Sequence, residues 1–189
     1  MPTPDEMMAA VSSGLRERTG HTLDEWVAMV DAAGLDPLDQ NAVRRWLKTE
    51  HGVPQNSQWA IADAAARAAG WERPSVEGYV DSQYVGPKAV LRPIYDRLAG
   101  ELLALGHDVS VEGRSTYTPF VRGRQFAAVA PSTRTRVDLG LRFTDPPASG
   151  RLLTTSPVGQ CTHRVALTEV NEVDDEVRGL MRVAYEQNS

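Results

Sequence analysis

From Gly113 to Arg142 the chain carries six arginines, Arg114, Arg122, Arg124, Arg134, Arg136 and Arg142, against a single acid, Asp138. The excess is local, because the whole protein of 189 residues has a formal charge of −5. Guanidinium groups are planar and recognise carboxylate or phosphate through paired hydrogen bonds. The segment therefore has the residue types of an anion-binding surface, with Tyr117 or Phe120 as aromatic help. The same residues also suit a solvated antiparallel face carrying an Arg–Asp cross-strand pair.

Cys161 and His163 form a second grouping. Residues two apart on a strand share a side, so a thiolate activated by imidazole is one reading. A small buried thiol beside a partly buried histidine is the other. His163 is the lone residue best suited to acid–base work, since histidine titrates near neutrality. No two histidines stand four apart, no His-Glu-x-x-His or Gly-x-Ser-x-Gly occurs, and one cysteine makes neither an internal disulfide nor a cysteine zinc site. No catalytic residue, metal or cofactor is expected. The acids Glu172, Asp174, Asp175 and Glu176 open the last helix, where its dipole favours negative charge.

All four tryptophans, Trp26, Trp46, Trp59 and Trp71, fall in the first 71 residues. The first three fit the core of a small helical unit. Trp71 fits no apolar stripe and is expected to line a pocket between the two halves with Tyr79 and Tyr84, or else to pack the halves together.

Those residues need elements to hold them. Thr22-Leu23-Asp24-Glu25 is a capping box, preceded by a weaker helix over 5–18 and followed by Trp26, Met29, Val30 and Ala33 at helical spacing. Asp36-Pro37 is expected to open the next helix, with Val43, Trp46 and Leu47 inward and Gly52 as its stop. Asn56 or Ser57 then caps a helix with Trp59, Ile61, Ala65 and Ala68 buried. These helices fit a mini-bundle better than a helix-turn-helix, because the candidate reading helix offers only Gln58 and Arg67. Residues 71–85 read as a linker. A helix over 87–105 follows, with Pro93 kinking it or delaying its start. Five short alternating runs (107–112, 115–121, 124–131, 134–143 and 161–170) read as antiparallel strands, and a final helix covers 171–186. Along the strands, Val137, Leu139, Leu141 and Phe143 point to one side. Arg136, Asp138, Arg142, Arg164 and Thr168 point to the other, expected to be open. The fold class is thus α+β: a small N-terminal helical bundle (1–70), then an α-β5-α domain (86–189) whose antiparallel sheet is covered on one face by two helices.

The run from Arg18 to Trp26 and that from Val43 to Gly52 resemble a helical family, a domain of unknown function (DUF4287). Gly86-Pro87-Lys88, Leu91-Arg92-Pro93-Ile94-Tyr95, Phe126-Ala127, the stretch from Val137 to Leu141 and Val183-Ala184-Tyr185 resemble a second such family (DUF5655). Neither resemblance supplies an activity or a catalytic residue. The second kind of domain occurs beside restriction-like modules, an associative pointer to nucleic acids. The helix–strands–helix order is similar to frataxin-like folds, and fold alone does not give function.

The sequence is therefore expected to encode a non-catalytic binding protein for a small aromatic or anionic ligand, at the cleft between the halves or on the open arginine face. Its expected contacts are Trp71, Tyr84, Tyr117, Arg122, Arg134, Arg136, Asp138, His163 and Arg164. The alternative is a nucleic-acid-binding protein with the arginines on phosphates, and the third is a hydrolase or transferase using His163, Asp138 or Cys161. No 18-residue apolar run and no basic, apolar leader occurs, so the expected setting is a bacterial cytoplasm without membrane contact.

Overall fold

The capping box at Thr22 forms. In the computed structural model, which describes residues 13–189, the Thr22 hydroxyl accepts from the Glu25 amide, and the Glu25 carboxylate accepts from the Thr22 amide at 2.8 Å. The box opens α2 (Leu23–Ala32), which follows the short α1 (Leu15–Thr19). Residues 5–12 of the first expected helix lie outside the described residues. Asp36-Pro37 does not start a helix. The Asp36 carboxylate closes a turn by accepting from the Leu38 amide, and Asp39 instead caps α3 (Gln40–His51). Gly52 ends α3 at φ 62°, a left-handed conformation that glycine adopts without strain. Pro54 then leads into α4 (Gln55–Ala68).

Leu15, Trp26, Val30, Val43, Leu47, Val53, Ile61 and Ala65 form the core of this unit. The Trp26 indole N–H donates to the Thr19 hydroxyl at 2.8 Å, so the buried ring leaves no polar atom unpaired. Trp46 is half-buried and packs edge-on against His51. Two expected core residues are outside it. Ala68 is exposed, and Trp59 is 44% exposed with the Arg44 guanidinium 3.5 Å above its ring. Ile61 and Ala65 already fill the inward side of α4, and a cation over the indole face holds Trp59 at the surface.

The chain divides into two units, Met1–Arg73 and Pro74–Ser189. The expected linker contains a helix, α5 (Val76–Gln83), because the Ser75 hydroxyl accepts from the Gly78 amide and acts as an N-cap. Val80 and Tyr84 carry this helix into the core of the second unit. A 3₁₀ turn (Gly86–Leu91) precedes α6 (Arg92–Leu103), so Pro93 sits in the first turn, where its missing N–H costs nothing. The strands β1 (Ser110–Val111), β2 (Thr118–Arg122), β3 (Arg124–Ala130), β4 (Val137–Leu141) and β5 (His163–Leu167) pair in chain order, all antiparallel. Asp174 caps the final helix, α7 (Asp175–Glu186).

One sheet face packs Phe120, Ala127, Val129, Leu139, Leu141, Val165 and Leu167 under Ile94, Leu98 and Leu102 of α6 and Val177, Leu180 and Met181 of α7. This is the expected two-helix cover. The opposite face is not open. The long β4–β5 loop folds back over it, placing Val158 and Cys161 against Ala128 and Ala130 and pairing Leu153 with Arg164. Gly140 permits this approach: a Cβ there would lie 2.9 Å from Val158 Cβ and 3.0 Å from Cys161 Sγ. Alternation assigned the sides correctly, but it carries no information on where a long loop comes to rest.

The two tryptophan environments separate in an unfolding experiment. Trp26→Ala is expected to cost about 3–5 kcal/mol. Trp59→Ala is expected to cost about 1 kcal/mol or less, as only an exposed cation–π contact is lost. Urea titrations followed by circular dichroism measure both.

Candidate functional site

Asp138 sits on β4, on the loop-covered face, and is buried. Arg136 brings its Nε to 2.9 Å from Oδ1 and donates from Nη2 to Oδ2 at 3.2 Å. Arg164, opposite Gly140 on β5, donates from Nη1 to Oδ1 at 3.0 Å and from Nε to the Thr155 carbonyl at 2.7 Å. The three charges neutralise one another, and Arg164 pins the covering loop. Arg164 is itself buried. These three expected contacts come together, but as an internal network and not on an open surface.

Three more arginines of the basic segment, Arg114, Arg122 and Arg124, have partners too. Arg114 pairs with Glu112, and Arg122 pairs with Asp108 at 2.7 Å while lying 4.1 Å over the Tyr185 ring. Tyr185 also donates to Asp108, and that bond together with Arg122 holds the Asp108 carboxyl below its usual range. Arg124 donates to the Gln187 carbonyl. Three of the six arginines are thus met by acids or a carbonyl from outside the segment.

The expected aromatic contacts have different surroundings within their own units. Tyr84 is buried in the core beside Tyr95, and burial raises its phenol pKa strongly. Tyr117 is half-buried against the β4–β5 loop, close to Gly159. Trp71 follows α4 in the first unit, half-buried, with its amide on the Ala66 carbonyl.

Cys161 and His163 do not meet as nucleophile and base. Cys161 precedes β5 and packs on the loop-covered face, where the Gln125 side-chain amide donates to its sulfur at 3.3 Å. Burial pushes its thiol up to about 11. His163 faces the helix-covered side opposite Leu141, edge-on to Phe143 and 2.9 Å from the Thr162 hydroxyl. The expectation of a shared side fails because the strand begins only at His163, leaving Cys161 on the irregular loop.

A cavity of about 430 Å³ lies within the second unit, between the end of α5, the 3₁₀ turn and the β1–β2 and β3–β4 loops. Lys88 and Arg134 line it, along with the hydroxyl residues Ser82, Ser115 and Thr116, and Val85, Pro87 and Pro131 supply apolar wall. Lys88 Nζ donates to the Pro131 carbonyl at 2.6 Å, tying the β3–β4 loop to the 3₁₀ turn. The Gln83 side-chain nitrogen donates to the Arg114 carbonyl at 2.8 Å, fixing the β1–β2 loop in the same way. Arg134 is exposed and meets no carboxylate among the described residues. The lining therefore presents two cations and several hydroxyls on a frame held by side-chain-to-backbone bonds.

Residues 80–188 match a family described as a domain of unknown function, DUF5655. The chain belongs to this family. Residues 8–66 match a second domain of unknown function, DUF4287. No curated protein and no solved structure matches the chain.

Every residue named at the cavity lies inside the DUF5655 match. Of the contacts expected from the sequence, Arg134 lines the cavity. Lys88, Ser82, Gln83, Ser115 and Thr116 were not anticipated. Lys88 had a usable signal: it is one of two lysines in a chain whose other basic residues are arginine. The hydroxyl residues had none: Ser115 and Thr116 are ordinary loop residues, and Ser82 sits within α5 with its hydroxyl donating to the Tyr79 carbonyl.

Two measurements test this placement of charges. Asp138→Asn leaves two guanidinium groups without their counter-charge and is expected to lower stability by about 3 kcal/mol, read from the urea midpoint. At pH 8 a disulfide reagent is expected to label Cys161 slowly in the native protein and rapidly in urea. A thiol titrating near 11 is ionised in roughly one molecule in a thousand at that pH.

Proposed function

We propose that the C-terminal unit is a non-catalytic binding module for a small anionic ligand, with Lys88 and Arg134 taking its charge. The observation that carries this reading is the pairing of those two cations with Ser82, Ser115 and Thr116 around one cavity. Cations supply attraction, and hydroxyl groups adapt as donors to carboxylate or phosphate oxygens. The volume suits a metabolite-sized molecule. Val85, Pro87 and Pro131 offer contact for an apolar part of the ligand. Binding is the reading favoured because the hydroxyls of the lining have no histidine or carboxylate beside them to act as base, and the Lys88 amine is already engaged with the Pro131 carbonyl. It replaces the expected arginine face and aromatic cluster with a different cavity that keeps only Arg134 from that set.

Among the described residues, no helix is long and apolar enough to cross a membrane. A bacterial cytoplasm suits a protein whose one cysteine is a buried free thiol.

Thermal-shift and calorimetric titration with inorganic phosphate, citrate, sugar phosphates and nucleotides tests the proposal. At least one anion is expected to bind saturably. Arg134→Ala is expected to weaken that binding about tenfold, about 1.4 kcal/mol, with the unliganded melting temperature unchanged. Arg182→Ala, an exposed change on α7, is expected to leave affinity intact. Binding that is indifferent to Arg134→Ala and Lys88→Ala places the ligand elsewhere.

A further inference from the structure

We propose that the exposed face of α3, together with Trp59, binds single-stranded nucleic acid. The first observation is where ion pairing stops. Arg92 meets Glu77, Asp81 and Asp96, Arg151 meets Asp174, and Arg178 meets Asp175 and Glu101. On α3, by contrast, Arg44, Arg45 and Lys48 meet no carboxylate among the described residues. Arg44 bonds to Asn41 and to the Gln40 carbonyl. Arg45 and Lys48 are exposed.

The second observation is geometric. At roughly 100° per residue, Asn41, Arg45, Lys48 and Thr49 fall within one sector of roughly 100°. Val43 and Leu47 occupy the buried side. Glu50 lies roughly 140° round the helix from Arg45, and its carboxylate reaches only the edge of the sector, where it accepts from the Thr49 hydroxyl at 3.3 Å. Arg44 and Lys48 stand four apart, a like-charge spacing that weakens an isolated helix. An acidic protein nevertheless keeps these cations together without an interleaved carboxylate.

The third observation is Trp59. It is the one aromatic ring among the exposed large apolar side chains of the described residues. The Arg44 guanidinium, 3.5 Å from the ring centroid, joins it to the cationic face. Cations alone suit any polyanion, including an acidic peptide or the phosphate rails of a duplex. The exposed part of the indole, whose ring already carries the Arg44 guanidinium on one face, adds a stacking surface, and unpaired bases of a single strand are what such a surface takes. Arg45 and Lys48 then meet phosphates while Trp59 meets a base.

The test is fluorescence anisotropy of a labelled oligothymidylate of about 20 nucleotides with the full chain, at about 50 and about 200 mM salt. Saturable binding that weakens with salt is expected. The double variant Arg45→Ala/Lys48→Ala is expected to bind about tenfold more weakly and to lower the salt slope by about 1.4, about 0.7 for each cation removed. Trp59→Leu is expected to lose about tenfold, and Trp59→Phe to retain most of the binding. Circular dichroism establishes that each variant is folded, and the alanine pair decides the matter should Trp59→Leu not fold. The proposal is overturned if there is no binding at the lower salt, or if the alanine pair leaves affinity unchanged. Competition by polyglutamate as effective as by the oligonucleotide, or duplex binding of equal strength that ignores Trp59→Leu, overturns it as well.

Discussion

Asp138 is the charge on which the C-terminal unit depends. It lies on a central strand, shielded from water, and its two carboxylate oxygens are met by Arg136 and Arg164. Two buried charges, Asp138 and Arg164, and a half-buried third, Arg136, are tolerable together because each has its partner. Arg164 extends the arrangement by holding the Thr155 carbonyl, so the network also fastens the loop that covers the sheet. With that loop in place the sheet is buried on both sides: two helices on one, an irregular segment on the other. Gly140 and Cys161 are small where the loop lies closest, and a larger side chain at either position would lift it.

The rest of the unit uses arginine in the same way. Arg92 gathers three carboxylates at the start of α6, and Arg122 ties the chain after α6 to the end of α7 through Asp108 and Tyr185. Surface pairs of this kind add little stability singly, but they set which cations are free to meet something else. Two places stand out: the cavity lined by Lys88 and Arg134, and the outer face of α3 with Trp59. Each belongs to a separate unit, so the two proposed activities can be tested independently.

The local rules of the chain were legible in detail. Thr22 and Glu25 formed the expected box, Gly52 ended its helix, and Pro93 delayed α6 until it could occupy the first turn. Side-chain alternation sorted Leu139 and Leu141 from Asp138 without error. The failures share a cause. Asp36 was read as a helix start because Asp-Pro favours one, yet Asp39 competed better for the same role. Trp59 was read as core because large aromatics usually are, but Ile61 and Ala65 filled that side of α4. Each depended on a competitor that a local pattern does not weigh.

The sequence by itself determined the type and order of most elements, though not α5 within the expected linker, and the inward residues of β4 and β5. Caps, glycines and hydrophobic period act over a few residues, and a few residues are what a pattern contains. Only the tertiary structure decided which charges are free. A guanidinium is a binding group or an internal brace according to whether a carboxylate from a distant element reaches it. Arg122 and Asp108 are fourteen residues apart, and Arg164 and Asp138 twenty-six. The cavity that groups Lys88 with Arg134 likewise exists only after a turn and two loops, far apart in the chain, have been tied together by Lys88 and Gln83.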